Sequence, residues 1–285
     1  MIFLDEDNLK AGNYFIPIDG IRSDIGEEYE INEWIGRGGN AAVYSCVEAK
    51  SGTAYAIKFQ LSLSEKRIKR FYREIQLIKK VTHEHLIKYV DHGVASCQKK
   101  NKKKIDIPFV VMELAESNLF DYVMNPSTVI PYEIYISQFK GLSEGLGTLH
   151  SLALHRDIKP ENILIVGEKW VLSDYGLCAF LEPWDGEELT DESNLGPRYW
   201  MSPEANNRYL GCGDNISKAS DVFQLSAVFW FVVNSKHPSG ILRLSDWTGP
   251  SKLFKPIYFA LQHEAERRPQ DGGQLFQLIS EAVFD

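Results

Sequence analysis

The chain has 285 residues, a formal net charge of −8 and 44% hydrophobic residues. That length buries a sizeable core as one large domain or two lobes, and the acidic balance argues against a broad surface for nucleic-acid phosphates. Cys46, Cys97, Cys178 and Cys212 stand far apart with no Cys-x-x-Cys pair, which argues against a zinc site and reads as a reduced, intracellular setting.

Residues 1–25 turn acidic at Asp5-Glu6-Asp7, unlike the basic start and apolar core of a signal peptide. They show no sustained period and read as an extension ahead of a domain over residues 26–285. From Tyr29 to Gln60 the chain is rich in aromatic and β-branched residues, interrupted by Gly36-Arg37-Gly38-Gly39-Asn40 and by Lys50-Ser51-Gly52. This predicts three strands joined by two turns. Ser62-x-x-Glu65 has the form of a capping box, and Ile68, Phe71, Ile75 and Ile78 predict a helix from about Ser64 to Lys80. Leu86–Val90 and Phe109–Leu114 read as short strands on either side of the basic run Lys99–Lys104. That run reads as a solvated loop, with a nucleic-acid or membrane-surface contact as the alternative.

The pattern changes near Leu114–Asn118. Tyr135, Phe139, Leu142, Leu146 and Leu149 step by four and three and predict a long amphipathic helix. Ile163–Val166 and Trp170–Ser173 read as strands around Gly167-Glu168. Asp221–Val233 is apolar on nearly every side, which predicts a buried helix; its densest stretch, Ala227–Val233, is far too short to span a bilayer. Glu264–Phe284 reads as helical around Pro269. The reading is an α+β chain with a β-rich N-terminal lobe over about 26–114, carrying one helix, and a larger, mainly α-helical lobe over about 116–285. It is read as cytoplasmic, with no membrane anchor.

Several residues have side chains suited to phosphate chemistry. Ile35-Gly36-Arg37-Gly38-Gly39-Asn40-Ala41-Ala42-Val43 puts glycines between two strands, where bare backbone N–H groups can face an anion; a plain hairpin explains it equally well. In Ala54–Phe59, strand alternation sets Tyr55, Ile57 and Phe59 on one face and Ala56 with Lys58 on the other. Lys58 is then either an ordinary surface lysine or an anion ligand. Glu74 lies beside apolar Ile75 in the next helix and needs a cation there, with Lys58 the candidate.

The strongest signal is His155-Arg156-Asp157-Ile158-Lys159-Pro160-Glu161-Asn162, followed by Ser173-Asp174-Tyr175-Gly176 and Met201-Ser202-Pro203-Glu204. Taken singly, Asp157 or Asp174 has an N-cap or turn as its bland explanation. Together and in this order, the motifs resemble the eukaryotic-type (Hanks-type) serine/threonine protein kinase family, over roughly residues 29–285. The resemblance implies a bilobal protein kinase fold and transfer of the γ-phosphate of ATP to protein hydroxyls, with Mg2+ (Mn2+ also suited) and with autophosphorylation. It implies that Asp157 is the catalytic base, that Lys159 offsets charge on the γ-phosphate, and that Asn162 and Asp174 bind the metal. Lys58, paired with Glu74, would hold the α- and β-phosphates. The base would lie between Val43 and Ala56 on one side and Leu164 on the other, with Met112 at the back and Glu113, Leu114 and Ala115 as the hinge. Asp221 resembles the residue that braces the catalytic loop, and Glu204 the partner of Arg268. Protein substrates are implied, and neither nucleic acid nor membrane.

Departures from the family pattern point elsewhere in places. Ala41 stands for the third loop glycine, Tyr175 for Phe and Ser202 for Ala. A buried Tyr175 hydroxyl would need a partner. Gly196-Pro197-Arg198-Tyr199-Trp200 has Pro197 where many serine/threonine members carry Thr, which with Trp200 is closer to the tyrosine-kinase and tyrosine-kinase-like branches, whereas Lys159–Asn162 is the serine/threonine form. Arg156 resembles the arginine that receives a phosphorylated segment, with Ser193 and Thr190 as candidate phosphosites. Glu187, Glu188, Asp191 and Glu192 are the rival source of that charge. The alternatives are a dual-specificity or tyrosine-directed kinase and a nucleotide-binding pseudokinase, but a pseudokinase scaffold would typically break the set Lys58, Glu74, Asp157, Asn162 and Asp174. A small-molecule kinase of the same fold would usually lack Lys159 and the Ser-Pro-Glu anchor.

Overall fold

The computed structural model describes residues 2–3, 14–16, 20–38, 41–99, 104–182 and 199–284. Two units form: the first runs to Lys79 and resumes over Lys88–Ala115, and the second holds Lys80–Ile87 and the chain from Glu116 on.

The first unit is a sheet with one helix. Its elements are β1 (Ile2–Phe3), β2 (Tyr14–Ile16), β3 (Ile21–Arg22), β4 (Glu28–Gly38), β5 (Ala41–Glu48), β6 (Ala54–Gln60), α1 (Glu65–Lys80), β7 (Tyr89–Lys99) and β8 (Lys104–Glu113). The strand order is β1-β2-β7-β8-β6-β5-β4-β3, antiparallel throughout. Tyr55, Ile57 and Phe59 of β6 share one face, as alternation requires, and pack with Tyr29, Tyr44, Cys46, Phe109 and Val111. The sheet curls with its twist until the N–H of Asp24, just past β3, donates to the carbonyl of His92 on β7 at 3.0 Å. Gly93 makes this closure possible: a Cβ there would lie 2.9 Å from the Phe109 ring and 3.1 Å from the backbone of Ser23. On α1, Phe71 and Ile75 pack against Val110, Tyr89 and Met112.

Three expectations for this unit need correction. Residues 1–25 contribute three strands, each of two or three residues and too short to show a period. The β7–β8 hairpin is far longer than the two short strands expected, because β7 faces its core with the small residues Gly93, Ala95 and Cys97. Finally, α1 opens at Glu65, and the carbonyl of Ser64 receives the N–H groups of Arg67 and Ile68 at 2.9 and 3.0 Å, so Ser62 is not its cap. Of the basic run Lys99–Lys104, residues 100–103 lie outside the described residues.

The second unit contains β9 (Ser117–Asn118), α2 (Leu119–Met124), α3 (Tyr132–Leu149), β10 (Ala153–Leu154), β11 (Ile163–Val166), β12 (Lys169–Leu172), β13 (Ala179–Phe180), α4 (Pro203–Tyr209), α5 (Lys218–Asn234), α6 (Ser251–Ala260) and α7 (Gly272–Phe284). Small sheets β12-β11-β9 and β10-β13 carry the loops described below. Helix α5 is buried nearly all round, and its Phe229 stacks on Phe139 of α3 with ring centroids 3.9 Å apart. The expected helix over Glu264–Phe284 is broken: Ala265–Arg267 form one tight turn, and α7 starts only at Gly272, past Pro269. No described helix is long and apolar enough to cross a membrane.

Residues 80–87 pack on α3 and β12. The carbonyl of Leu172 accepts from the N–H of Ile87 at 2.8 Å, and the His85 ring lies 2.8 Å through Nδ1 from the carbonyl of Trp170. That ring fills the space beside Gly141 of α3, where a Cβ would fall 2.0 Å from Nε2 and 2.4 Å from Cδ2. Alanine at this position would gain about 1 kcal/mol of helix propensity, but three ring atoms block it. Gly141→Ala is therefore expected to destabilise the protein by about 1–3 kcal/mol net. The check is a lower urea midpoint; an unchanged midpoint would mean that the ring moves aside freely.

Candidate active site

In the first unit, Lys58 sits on β6 opposite Val43 of β5 and Val110 of β8. Its Nζ lies 2.7 Å from Oε1 of Glu74, and both side chains are largely buried, at 14% and 9% exposure. Glu74 is carried inward because it shares the face of α1 that holds Phe71 and Ile75, and a carboxylate in that position is tolerable only with a close cation. Ala56 is buried and registers with Met112. Glu113 ends β8, its N–H donating to the carbonyl of Lys88 at 3.1 Å while its Oε1 accepts the Lys88 N–H at 2.8 Å; Leu114 and Ala115 then close the unit. The glycine loop is a hairpin by register, with Gly36 opposite Val43, Arg37 opposite Ala42 and Gly38 opposite Ala41. Ile35 is exposed and a Cβ on Gly36 would meet nothing within 4 Å, so backbone there is open to a ligand. Gly39 and Asn40 lie outside the described residues.

In the second unit, Asp221 of α5 fixes the backbone of the loop that carries Asp157. Its Oδ2 accepts the His155 N–H at 2.7 Å, and its Oδ1 accepts the Arg156 N–H at 2.8 Å. Nε2 of His150 lies 3.1 Å from the same Oδ2, while its Nδ1 accepts the Gly272 N–H at 3.2 Å, so Nε2 is the donor. Burial alone would push the Asp221 carboxyl up; the His150 and Arg156 hydrogen bonds outweigh it and hold it below the usual carboxylate range. Arg156 is thereby kept at φ 68°, a left-handed conformation that costs a residue with a side chain about 1–3 kcal/mol.

Asp157 is 7% exposed, and its Oδ2 accepts from Nδ2 of Asn162 at 2.8 Å and from Nζ of Lys159 at 3.3 Å. Burial pushes its carboxyl up, Lys159 opposes this, and the charge of Asp174 adds to it. Asp174 also has left-handed backbone, φ 61°, at the start of the turn Tyr175–Leu177. Tyr175 is buried and its hydroxyl donates to the carbonyl of Leu172 at 3.1 Å, which supplies the partner required of it. The buried His155 ring is pushed toward neutrality by desolvation. Its Nδ1 accepts the Asp157 N–H at 3.3 Å, leaving Nε2 to donate to the carbonyl of Ser173 at 3.2 Å. Leu164 is half-buried on β11, opposite Asn118 and Val171.

Both amide hydrogens of Asn162 are directed at Asp157, one to its carbonyl and one to its carboxylate, each at 2.8 Å, which turns Oδ1 away as a hard oxygen donor. Oxygen donors on Asn162 and Asp174, with two acidic groups near enough for one to raise the other, fit a divalent cation. Among the described residues no three His, Cys, Asp or Glu side chains gather to hold an ion. Phosphate and water oxygens would complete its shell.

Away from these groups, Arg268 grips both oxygens of Glu204 at 2.8 and 2.9 Å, and the Ser220 hydroxyl donates to Oε1 at 2.6 Å. Ser202 uses its hydroxyl to cap α4, accepting the Ala205 N–H at 3.4 Å. Thr190, Ser193 and Gly196–Arg198 lie outside the described residues; of that segment, Tyr199 is exposed and Trp200 buried. Sequence reasoning missed His150, Ser220 and Gln224, whose only signal is polarity within or beside apolar helices.

The model of the protein kinase domain matches residues 29–249. Among similar proteins are a probable serine/threonine-protein kinase of Clostridium perfringens, 25% identical over 85% of this chain and 32% of its own. A second, from Dictyostelium discoideum, is 29% identical over 74% of this chain and 40% of its own. The serine/threonine-protein kinase pkn2 of Myxococcus xanthus is 25% identical over 87% and 31%. The chain thus spans between 31% and 40% of the length of these relatives. With a β-rich unit bearing a Lys–Glu pair, a helical unit bearing the Asp157 loop, and this match over residues 29–249, the chain belongs to the protein kinase domain family.

Proposed function

We propose that this kinase transfers the γ-phosphate of ATP to serine or threonine hydroxyls of protein substrates, itself among them. Membership of the family implies ATP and a divalent metal; Mg2+ is the ion adopted here, since Asn162 and Asp174 would offer it hard oxygen donors. The gathering of Lys159 and Asn162 on one oxygen of Asp157 is the observation that carries the reading.

Asp157 orients the acceptor hydroxyl and takes its proton as that oxygen bonds to the γ-phosphorus and the bond to the β,γ-bridging oxygen breaks, releasing ADP. Lys159 offsets charge on the transferred group, and Lys58, steadied by Glu74, holds the α- and β-phosphates. Asn162 and Asp174 would hold the ion, which would supply positive charge to neutralise the phosphates. Val43, Ala56 and Leu164 would flank the adenine, with Met112–Ala115 along its edge. Free cysteines throughout support a reducing, cytoplasmic setting.

Lys159-Pro160-Glu161-Asn162 and the relatives' names support serine/threonine transfer, against Pro197. The test is incubation with ATP and Mg2+, then mass spectrometry. Phosphoserine or phosphothreonine is expected, absent from Asp157→Asn. Phosphotyrosine alone overturns the specificity, and ATP binding without any transfer overturns the enzyme reading in favour of a nucleotide-binding scaffold. Autophosphorylation at Ser193 or Thr190 is expected to raise activity. Ser193→Ala with Thr190→Ala should then lose about tenfold, the worth of roughly one charge-assisted hydrogen bond. Undiminished activity would mean that Glu187, Glu188, Asp191 and Glu192 already supply the charge.

A further inference from the structure

We infer that Gln224 is a positioning residue that fixes the two peptide groups flanking Asp157, an inference that rests on Asp157 being the base. Gln224 lies three residues beyond Asp221 on α5, nearly one helical turn along the same face, and is 3% exposed. Its Oε1 accepts the Ile158 N–H at 3.2 Å, and its Nε2 donates to the carbonyl of Arg156 at 3.4 Å. The carboxamide therefore reaches the loop on both sides of Asp157.

The remaining ends of those two peptides are also held. In the Arg156–Asp157 peptide the N–H donates to Nδ1 of His155 at 3.3 Å, and in the Asp157–Ile158 peptide the carbonyl accepts from Asn162 at 2.8 Å. With Asp221 on the two preceding N–H groups, four successive backbone N–H groups, from His155 to Ile158, each have a side-chain acceptor. The direction of the Asp157 side chain follows from its two flanking peptide planes, and Gln224 bonds to both. Among the described residues its hydrogen bonds go to the backbone of Arg156 and Ile158, not to the carboxylate of Asp157 or to a residue assigned above to nucleotide or metal. Its loss should misplace the base without weakening ATP binding, and small displacements of a reacting group are costly.

The test is Gln224→Met in the full chain, which keeps length and burial while deleting both hydrogen bonds. The expected result is a kcat lower by roughly 10- to 100-fold, with KM for ATP within about twofold of the wild type and faster amide exchange at Ile158. A full kcat overturns the inference, as does a loss of kcat and ATP affinity in equal measure. Should the variant not fold, amide exchange of the wild type decides: Ile158 should be protected like a helix amide, and exchange at the rate of a free loop amide refutes the inference. Asp157→Asn, run alongside, separates the two readings. If it stays fully active, the assignment of the base fails. If it is inactive while Gln224→Met is fully active, the role of Gln224 alone fails.

Discussion

Asp157→Asn is expected to lower kcat by about 10³-fold, to leave ATP binding unchanged, and to raise the melting temperature. Asparagine keeps the size of the side chain and an oxygen that can accept from Asn162 and Lys159, so the loop backbone has no reason to move. What disappears is the proton acceptor. The stability gain follows from burial, which outweighs the Lys159 charge and lifts the Asp157 carboxyl above its unfolded value of about 3.9. A group raised in this way stabilises the fold fully only below that unfolded value. Its contribution is lost as pH rises through the folded one, so at neutral pH the carboxylate is a net cost that asparagine removes. Steady-state rates, an ATP titration and a thermal melt check all three parts. A variant that transfers phosphate at the wild-type rate would remove Asp157 from the chemistry. A lowered melting temperature would show that Lys159 and Asn162 outweigh burial.

The parts of this structure legible in the sequence are those where a period or an unpayable charge leaves one option. Helices α1, α3 and α5 show as apolar stripes or a continuous apolar run. The ion pair of Lys58 with Glu74 is legible because a glutamate beside Ile75 on a packed helix face needs a cation within reach. Short or compromised elements are not legible. Helix α4 has seven residues, and α6 contains Pro256, which reads as a breaker although the helix continues through it. Strand β7 lines its core with Gly93, Ala95 and Cys97, whose modest hydrophobicity hides the alternation. Within the site, Asp157, Asn162 and Asp174 stand out by motif. The groups that hold the loop are harder to find: Gln224 sits in an almost wholly apolar helix, and its partners, Arg156 and Ile158, are 68 and 66 positions away. Hydrogen bonds from a side chain to distant backbone leave no periodic trace.

Arg268→Met is expected to cost about 3–5 kcal/mol of folding free energy, because it strands a buried carboxylate. Exposed pairs such as Lys50 with Glu27 contribute only about 0–1 kcal/mol, but the Arg268 side chain is 0% exposed and that of Glu204 is 9%. Beyond Glu204, the guanidinium donates to the carbonyls of Ala219, Gln262 and His263 at 3.1, 2.7 and 2.7 Å, tying the starts of α4 and α5 to the chain before α7. Burial alone would raise the Glu204 carboxyl; hydrogen bonds from Arg268 and Ser220 outweigh it and hold it below the usual range. A depressed carboxyl contributes stability above its unfolded value, about 4.3, and loses it as pH falls through the folded value. In Arg268→Met only the Ser220 hydroxyl and the backbone N–H of Glu204 oppose burial, so the carboxyl should rise and the sign reverse. The deficit against the wild type should be greatest at neutral pH and shrink on acidification toward 4, and Glu204→Gln added to Arg268→Met should recover part of it at neutral pH. Urea midpoints of both variants at neutral and acidic pH decide the matter: a deficit that is small, or that is independent of pH and of Glu204, would mean that the pair contributes packing rather than charge neutralisation.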